Sequence, residues 1–290
     1  MSFYDENKMK EMEPKAGRAT EKRDVETDRD LGETVDLNGD VGEGYGHWRA
    51  GDDEALLAIV SSANIACGFH AGDPHVMRRT VEACLRRGVA IGAHPGLPDR
   101  LGFGRREMAV SPQEVEDFVL YQTGALLAFT AASGGRLAHV KPHGALYHMA
   151  ARRPDIAAAV ARAVYRLDPG LLLFVPPESE LERAGRAIGL RVVVEGFADR
   201  GYAAGGELAP RGTPGAEIGS EEEALRQALA LTGRGTVRTV DGGEIALRAE
   251  TICVHGDRPR AAKLAASLRR GLEAAGIRIV SPASAKPPSR

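Results

Sequence analysis

The stretch that decides the fold is Ser61–His75, which reads SSANIACGFHAGDPH. A short apolar run ends near Asn64, a histidine follows at His70, and Asp73-Pro74 begins the next helical pattern. Parallel α/β proteins carry their chemistry on the loops that leave the carboxyl ends of strands and lead into helices. The stretch therefore predicts one βα unit with a functional loop.

Four further stretches share its order of an apolar run, a polar or charged residue and a glycine. They are DLNGDVGEG at 36–44, IGAHPG at 91–96, HVKPHG at 139–144 and ICVHGD at 252–257. Helical patterns separate them, which is typical of parallel βα units, and about 250 residues is the usual size of a (β/α) barrel. Strands are predicted near Thr34–Leu37, Ser61–Ala66, Val89–Ala93, Ala138–Val140, Leu171–Val175, Val192–Val194 and Thr251–Val254, with Ile277–Val280 as a candidate eighth.

Charge and periodicity divide the chain into a central domain and two terminal segments. Residues 1–33 are highly charged and lack apolar periodicity, so we expect a flexible extension. Residues 34–281 form the barrel domain, and 282–290 are expected to be a flexible tail. Within the domain, residues 236–248 predict a β-hairpin that turns at Asp241-Gly242-Gly243. This hairpin is a candidate docking place for a partner.

The composition argues against several classes of protein. A net charge of −2 and a pI near 6.5 give no general attraction to nucleic acid or anionic lipid. Three cysteines in apolar surroundings do not suggest a disulfide framework. No stretch reaches the roughly 20 apolar residues that span a bilayer, and the amino terminus lacks a signal-peptide core. We therefore expect a soluble, cytoplasmic protein without a nucleic-acid or membrane partner.

A barrel of parallel strands brings the residues that follow its strands together at one mouth. The polar residues near the strand ends therefore predict the pocket. Two guanidiniums in the loop GFGRR at 102–106 could also grip a carboxylate or phosphate. The candidates are Asn38, Asp40, Glu43, Asn64, His70, His94, Arg105, Arg106, Lys141, His143, Glu195, Asp199, Arg200, His255 and Asp257.

Lysine and histidine placement makes some of these candidates stronger. Lys141 is the only lysine between Lys22 and Lys263 in a chain with 7 lysines and 31 arginines. Arginine is planar and permanently charged, so this position is interpreted as one that needs an ammonium or an amine. Four of the eight histidines follow predicted strands. The structural alternatives are a lysine that extends to solvent and imidazoles that cap or pack.

Seven motifs resemble one known family. DLNGDVGEGYG, SANIACGFHAGDP, GAHPGLPDRLGFGRR, VLYQTGALLAF, HVKPHGALY, EGFADRGY and ICVHGD occur in order over residues 34–281 and resemble the LamB/YcsF family, that of the A subunit of bacterial 5-oxoprolinase. The resemblance implies a distorted (β/α) barrel similar to the glycoside hydrolase/deacetylase superfamily. It also implies ATP-dependent opening of the 5-oxoproline lactam to L-glutamate, with separate B and C subunits as partners.

The sequence departs from the family at two positions. Gly39 stands where members usually carry cysteine, and Arg100 replaces an aliphatic residue in the PGLPD loop. A catalytic role for the family's cysteine at that place therefore does not transfer to this chain. ATP is expected to bind with or through the partner subunits, because the sequence contains no G-x-x-x-x-G-K-[ST] motif.

The implied reaction assigns roles to the candidate residues. Lys141 and His143 would stabilise the developing oxyanion, and His70, His94 and Asp40 would act as general base and acid. Arg105, Arg106 or Arg200 would hold the substrate carboxylate, and Asn38 and Asn64 the ring NH and CO. The remaining predicted substrate-binding residues are Glu43, Glu195, Asp199 and His255.

Two other functions fit the same residues. In a metal-dependent amidohydrolase or deacetylase, Asp40, His70 and His94 would bind a divalent ion. The sequence has neither an H-x-H nor an H-E-x-x-H spacing, so a metal is compatible with the chain but is not predicted. In the other alternative, the chain only binds the lactam or docks partners, and the catalysis takes place on the B and C subunits.

Overall fold

The computed structural model describes residues 34–256 and 261–284. The predictions for residues 1–33, for Asp257 and for the tail from residue 285 onward lie outside the described residues.

Strands and helices alternate along the described chain. The strands are β1 (Thr34–Val41), β2 (Ser62–Ala66), β3 (Ala90–His94), β4 (Leu137–Val140), β5 (Leu172–Val175), β6 (Arg191–Phe197), β7 (Thr236–Arg238), β8 (Glu244–Ala246), β9 (Thr251–Val254) and β10 (Arg278–Ile279). The helices are α1 (Asp53–Leu57), α2 (Pro74–Arg87), α3 (Pro112–Ala132), α4 (Gly144–Arg152), α5 (Pro154–Leu167), α6 (Glu180–Ile188), α7 (Glu221–Leu229) and α8 (Ala261–Ala274).

Seven of these strands close into a parallel barrel in the order β1-β2-β3-β4-β5-β6-β9, with β9 pairing back onto β1. The predicted (β/α) barrel is thereby confirmed. The candidate eighth strand, β10, is short and pairs in parallel with the first residues of β1, where Thr34 lies opposite Arg278. β7 and β8 form a separate antiparallel pair with Val237 opposite Ile245. Residues 282–284, the described part of the predicted tail, form a 3₁₀ turn.

Local sequence signals set the ends of the longer helices. Ser111 and Glu114 form a capping box at the start of α3, since each side chain accepts a hydrogen bond from the other residue's backbone NH. Asp73 is the N-cap of α2, and its carboxylate accepts from the NH groups of His75 and Val76. α2 ends at Gly88, whose φ of +67° is in the left-handed region. These caps fix where each helix leaves its strand.

The interior of the barrel is polar at several levels. Strand side chains alternate between the two faces, so Asp36, Asn38 and Asp40 of β1 point to one side, while Leu37 and Val41 join the apolar core on the other. Asp36 pairs in register with Thr251 of β9, and Asn38 with Cys253. Inward-facing barrel positions are usually filled by branched apolar side chains, and here hydrogen-bonding groups replace them.

This alternation corrects the predicted strand ends. Asn38, Asp40 and Glu195 were expected past the strand ends, but they lie within β1 and β6. Asn64 lies within β2, inside the predicted strand Ser61–Ala66. The apolar runs are shorter than the strands because these inward positions carry polar side chains that hydrogen-bond to one another.

In the part of the chain that the structure covers, none of the helices is both long and apolar enough to cross a membrane.

Candidate functional site

A cavity of about 300 Å³ opens at the carboxyl ends of the barrel strands. Its deepest wall contains Asp40 and Lys141, which are buried, and its outer wall is formed by loops and by the start of α4. The principal lining residues are Asp40, His94, Arg105, Lys141, His143, Tyr147, His148, Arg152, Phe197, Arg200, Arg211 and His255. The cavity thus brings together residues from five of the seven barrel strands or from the loops that follow them.

Lys141 is surrounded by acceptors at the base of this cavity. Its Nζ lies 2.7 Å from Oε1 of Glu195 and 3.1 Å from Oδ1 of Asp40. It also donates to Oδ1 of Asn38 over 3.2 Å and to Sγ of Cys253 over 3.0 Å. Burial alone would lower the pKa of Lys141, but Asp40, Cys253 and Glu195 raise it well above its usual value. Of the two predicted forms, the structure favours the ammonium.

Asp40 is held as a carboxylate by the same neighbours. Burial would raise the pKa of Asp40, yet the charge of Lys141 and the contact with His94 bring it well below the usual value. The amide of Asn64 also donates to Oδ1 of Asp40 over 2.8 Å. Asp40 therefore supplies a fixed negative charge and a hydrogen-bond acceptor at the cavity floor.

A hydrogen-bonded layer lies below the cavity. Asn38 donates through its amide to Glu195 (3.0 Å) and to Thr251 (2.7 Å), and its oxygen accepts from Asn64 (2.7 Å). Nε2 of His139 lies 2.7 Å from the oxygen of Asn64. Asn38 and Asn64 were predicted to contact the substrate ring, but neither lines the cavity. Their contacts instead orient Asp40, Glu195 and Lys141.

His70, His94 and His143 form a cluster at one side of the cavity. His70 stacks on His143 with ring centroids 3.8 Å apart, and Nδ1 of His143 lies 2.9 Å from Nε2 of His94. His94 and His143 line the cavity, whereas His70 is enclosed behind them. Burial, together with the neighbouring imidazoles, places the pKa of His70 and of His143 well below the usual value, so both rings are neutral.

The loop after β3 is shaped around this cluster. Phe103 has a φ of +54°, an uncommon conformation for a bulky residue, and its carbonyl lies 2.8 Å from Nε2 of His143. Gly104 follows with a φ of +64°, and a Cβ there would lie 2.7 Å from Cβ of His70. The sequence GFG at 102–104 is therefore needed to bring a backbone carbonyl against a buried imidazole.

The predicted arginines have different positions. Arg105 lines the cavity, and its guanidinium lies 5.0 Å from the ring centroid of Phe103. Arg200 also lines it, but donates to the carbonyls of Ala209 (2.7 Å) and Ala216 (3.1 Å), so it braces the wall. Arg106 is paired with Asp99 and does not line the cavity. The Arg106 side chain is two-thirds exposed. The structure thus brings only two of the three arginines to the pocket.

The remaining predicted residues flank the cluster. Glu43 is buried, with Oε1 at 3.7 Å from Nε2 of His70 and 3.8 Å from Nδ1 of His143. Nδ1 of His255 lies 3.2 Å from Oδ2 of Asp199, and its ring stacks on Phe197. Of these residues, His255 lines the cavity and Glu43 and Asp199 lie behind its wall.

Sequence reasoning missed several residues of the site. Tyr147 donates its hydroxyl to Oε2 of Glu195 over 2.8 Å, and Arg152 and Arg211 bring two more guanidiniums to the outer wall. Tyr147 belongs to the motif HVKPHGALY, one helical turn after His143, so its spacing could have revealed it. Arg211 lies in the loop after β6, and no pattern distinguishes it from surface arginines.

The fold and the site together define a class of protein. A closed parallel barrel with a buried lysine, acidic groups and imidazoles at the carboxyl ends of its strands is a (β/α)-barrel protein with an enzyme-like pocket. The sequence profile of the LamB/YcsF family matches residues 35–287. The chain belongs to the LamB/YcsF family, which confirms the predicted resemblance.

Known proteins similar to the chain cover nearly all of the barrel. The A subunit of 5-oxoprolinase from Methylococcus capsulatus is 54% identical over 251 residues, which is 87% of this chain and 96% of that protein. The protein of the same name from Bacillus subtilis is 51% identical over 85% of this chain and 96% of its own length. The crystal structure of the lactam utilization protein from Thermus thermophilus has a TM-score of 0.82 at 51% identity, covering 85% of this chain and 99% of that one.

A more distant structure shares the fold alone. A putative cellobiose-phosphate cleavage protein from Enterococcus faecalis has a TM-score of 0.51 at 14% identity and covers 86% of this chain and 97% of that one.

Proposed function

We propose that this chain is the A subunit of a 5-oxoprolinase. In this proposal it takes part in the ATP-dependent hydrolysis of the 5-oxoproline lactam to L-glutamate, together with B and C subunits. The observation that carries the proposal is identity above 50% over nearly the whole length of relatives that bear this name. The name of the similar crystal structure, a lactam utilization protein, supports the same substrate class.

The base of the cavity fits the chemistry of amide opening. A lactam is stabilised by resonance, so its hydrolysis develops negative charge on the carbonyl oxygen that a fixed cation can stabilise. Lys141 is the cation at the cavity floor, and its contacts with Asp40 and Glu195 hold it in place. We assign it the stabilisation of the oxyanion, with His143 as a neighbouring group.

The histidine cluster fits proton transfer. Neutral imidazoles can accept a proton from water at ordinary pH, and general-base catalysis of this kind contributes roughly 10²-fold to 10⁴-fold in rate. His94 and His143 reach the cavity surface, so they are the proposed acid and base, with His70 behind them. Oδ1 of Asp40 lies 3.5 Å from Nε2 of His94, so this carboxylate would help to orient that imidazole.

The outer wall suits a carboxylate substrate. Arg105, Arg152 and Arg211 line the cavity, whose floor also contains a cation, and the last two are paired with Glu107 and Glu217. Guanidiniums pair with carboxylates through two parallel hydrogen bonds, which fixes the orientation of a small ligand. We propose that the 5-oxoproline carboxylate faces this wall and that its ring carbonyl faces Lys141. ATP is proposed to bind with or on the partner subunits.

The direct test is to co-purify the full chain with the proteins proposed as its B and C subunits. Glutamate release from 5-oxoproline should require this chain and ATP. Omission of the chain should abolish glutamate release, and so should omission of ATP. Glutamate release in either of these two experiments would overturn the proposal. The Lys141→Met variant should be inactive in the assembled complex, and full activity of this variant would refute its oxyanion role.

A further inference from the structure

The facing nitrogens of His94 and His143 leave a place for a positive charge. Nδ1 of His94 lies 2.7 Å from the carbonyl of Lys141, and Nε2 of His143 lies 2.8 Å from the carbonyl of Phe103. A carbonyl only accepts, so each of these ring nitrogens carries the hydrogen of its neutral ring. The other two nitrogens, 2.9 Å apart, then present lone pairs to each other. Such a pair is stable only with a proton or a cation between or beside them.

Two further ligand atoms converge on the same point. Oε1 of Glu43 lies 3.8 Å from Nδ1 of His143 and 3.7 Å from Nε2 of His70. One ligand atom from each of Glu43, His70, His94 and His143 lies within 4.8 Å of all the others. Ligand atoms around a tetrahedral zinc ion are about 3.4 Å apart, as follows from bonds near 2.1 Å. Small side-chain movements would therefore produce a four-ligand site.

His70 supplies an independent indication. Its side chain is fully buried, and in the described part of the chain neither ring nitrogen makes a hydrogen bond. A buried imidazole without a partner is costly, so a native structure that keeps one usually has a role for it. Binding a cation through Nε2, next to Glu43, would satisfy this ring.

The surroundings of the cluster match those of metal-binding histidines. Such residues typically donate their second ring NH to a carbonyl or carboxylate, which fixes the ring and raises the basicity of the ligand nitrogen. His94 and His143 both do so, through the carbonyls of Lys141 and Phe103. The strained backbone at Phe103 provides one of these carbonyls, so the strain has an evident purpose.

We propose that Glu43, His70, His94 and His143 bind a divalent transition-metal ion of the zinc type. Three imidazoles and one carboxylate favour zinc, iron, cobalt or nickel over magnesium and calcium, which prefer oxygen ligands. His70 and His94 were also candidate metal ligands in the sequence, together with Asp40. In the structure, Glu43 and His143 take the place of Asp40. The ion would lie at the cavity wall through His94 and His143. The proposal does not depend on the identity of the substrate. It does replace the acid–base role proposed for His94 and His143, since the nitrogens that would exchange protons are the ones that would bind the ion.

The first experiment measures metal in the full chain, purified without a histidine tag or chelators. We expect a stoichiometric transition metal by elemental mass spectrometry. After removal of that metal, titration with Co²⁺ should give a saturable visible absorption band, which Zn²⁺ displaces. We expect weaker Co²⁺ binding in each of three variants: His94→Ala, His143→Ala and the nearly isosteric Glu43→Gln. Loss of a group that only supports a ligand weakens metal binding by roughly 10-fold to 100-fold, so loss of a ligand should cost at least as much.

His148→Ala is the matched control, because His148 is an exposed histidine on the wall of the same cavity. It should bind Co²⁺ like the unaltered chain. Circular dichroism of every variant separates lost binding from lost folding, and Glu43→Gln serves if a histidine variant does not fold. A folded chain without metal and without saturable Co²⁺ binding would overturn the proposal in favour of a proton shared by the two imidazoles. Equal binding by all variants would place the metal elsewhere and would also overturn it.

Discussion

Nζ of Lys141 and Oε1 of Glu195 lie 2.7 Å apart in the interior of the barrel, with both side chains almost completely buried. Oδ1 of Asp40 lies 3.1 Å from the same ammonium. One cation therefore compensates two carboxylates from different strands. A buried charge without a partner destabilises the folded state. The same contact therefore stabilises the barrel and fixes the charges at the cavity floor.

Replacement of Lys141 by methionine should destabilise the fold as well as the site. It leaves Asp40 and Glu195 without their cation, and breaking a buried pair in this way costs about 3–5 kcal/mol. Urea unfolding of the isolated chain measures the free energy of unfolding. Glu195→Gln added to Lys141→Met should recover part of the loss, since it removes one uncompensated charge. If the single variant is as stable as the unaltered chain, the ion pair does not contribute as described.

Asp36 should make stability fall with rising pH. Burial raises the pKa of Asp36 from 3.8 to about 6, although Thr251, Ser61 and Ser62 donate to it and partly oppose the rise. The folded state therefore retains a proton that the unfolded chain loses near pH 3.8. Between these two pKa values, the free energy of unfolding should decrease by about 3 kcal/mol as the pH increases, with no further change from this group above about pH 6.

Asp36→Asn isolates this effect. The amide cannot titrate, so the stability difference between the variant and the unaltered chain should change across that pH range and be constant above it. A constant offset from altered hydrogen bonds does not affect the comparison. Urea unfolding at a series of pH values provides the test, and parallel pH profiles of the two proteins would contradict the raised pKa.

Gly92 should not tolerate a side chain. A Cβ at this position would lie 2.0 Å from Nε2 of His139, which is held by Asn64 and by stacking on Phe174. Gly92→Ala should therefore destabilise the protein by about 1–3 kcal/mol, the usual cost of overpacking. Thermal and urea unfolding measure the change.

Gly124 is the matched control for that substitution. It lies inside α3, and a Cβ added there would meet no atom within 4 Å, so Gly124→Ala should stabilise the protein by roughly 0.5–1 kcal/mol through helix propensity. Gly92→Ala should also cost less in a His139→Ala background than alone. Equal effects of the two glycine substitutions would show that the approach of His139 is not the cause.

Arg105 and Arg106 should differ in their effect on substrate affinity. Arg105 lines the cavity, and Arg106 pairs with Asp99 outside it. In the assembled complex, Arg105→Met should increase KM for 5-oxoproline by about 10-fold or more, the usual scale of a lost hydrogen bond to a charged group. Arg106→Met should leave KM nearly unchanged. The opposite order would move the carboxylate site to Arg106.

The sequence predicted most of the barrel because strand and helix signals alternate in it without long interruptions. Asp73-Pro74 marked a helix start, and α2 begins there. The strand ends were less accurate, since apolar runs identify only the outward face of β1. Asn38 and Asp40 looked like loop residues because a polar barrel interior leaves no apolar signal on the inward face.

For the candidate site, the sequence predicted which residues come together but not the contacts between them. By itself the sequence determined that His94, Lys141 and His143 would meet at one mouth, since parallel strands bring the residues at their carboxyl ends together whatever their distance in the chain. Only the tertiary structure decided the contacts: that Lys141 is an ammonium between two acids, that Arg106 turns away to Asp99, and that His94 faces His143. Protonation and orientation depend on burial and on neighbours within a few ångströms, and these are set by packing between strands that are distant in sequence.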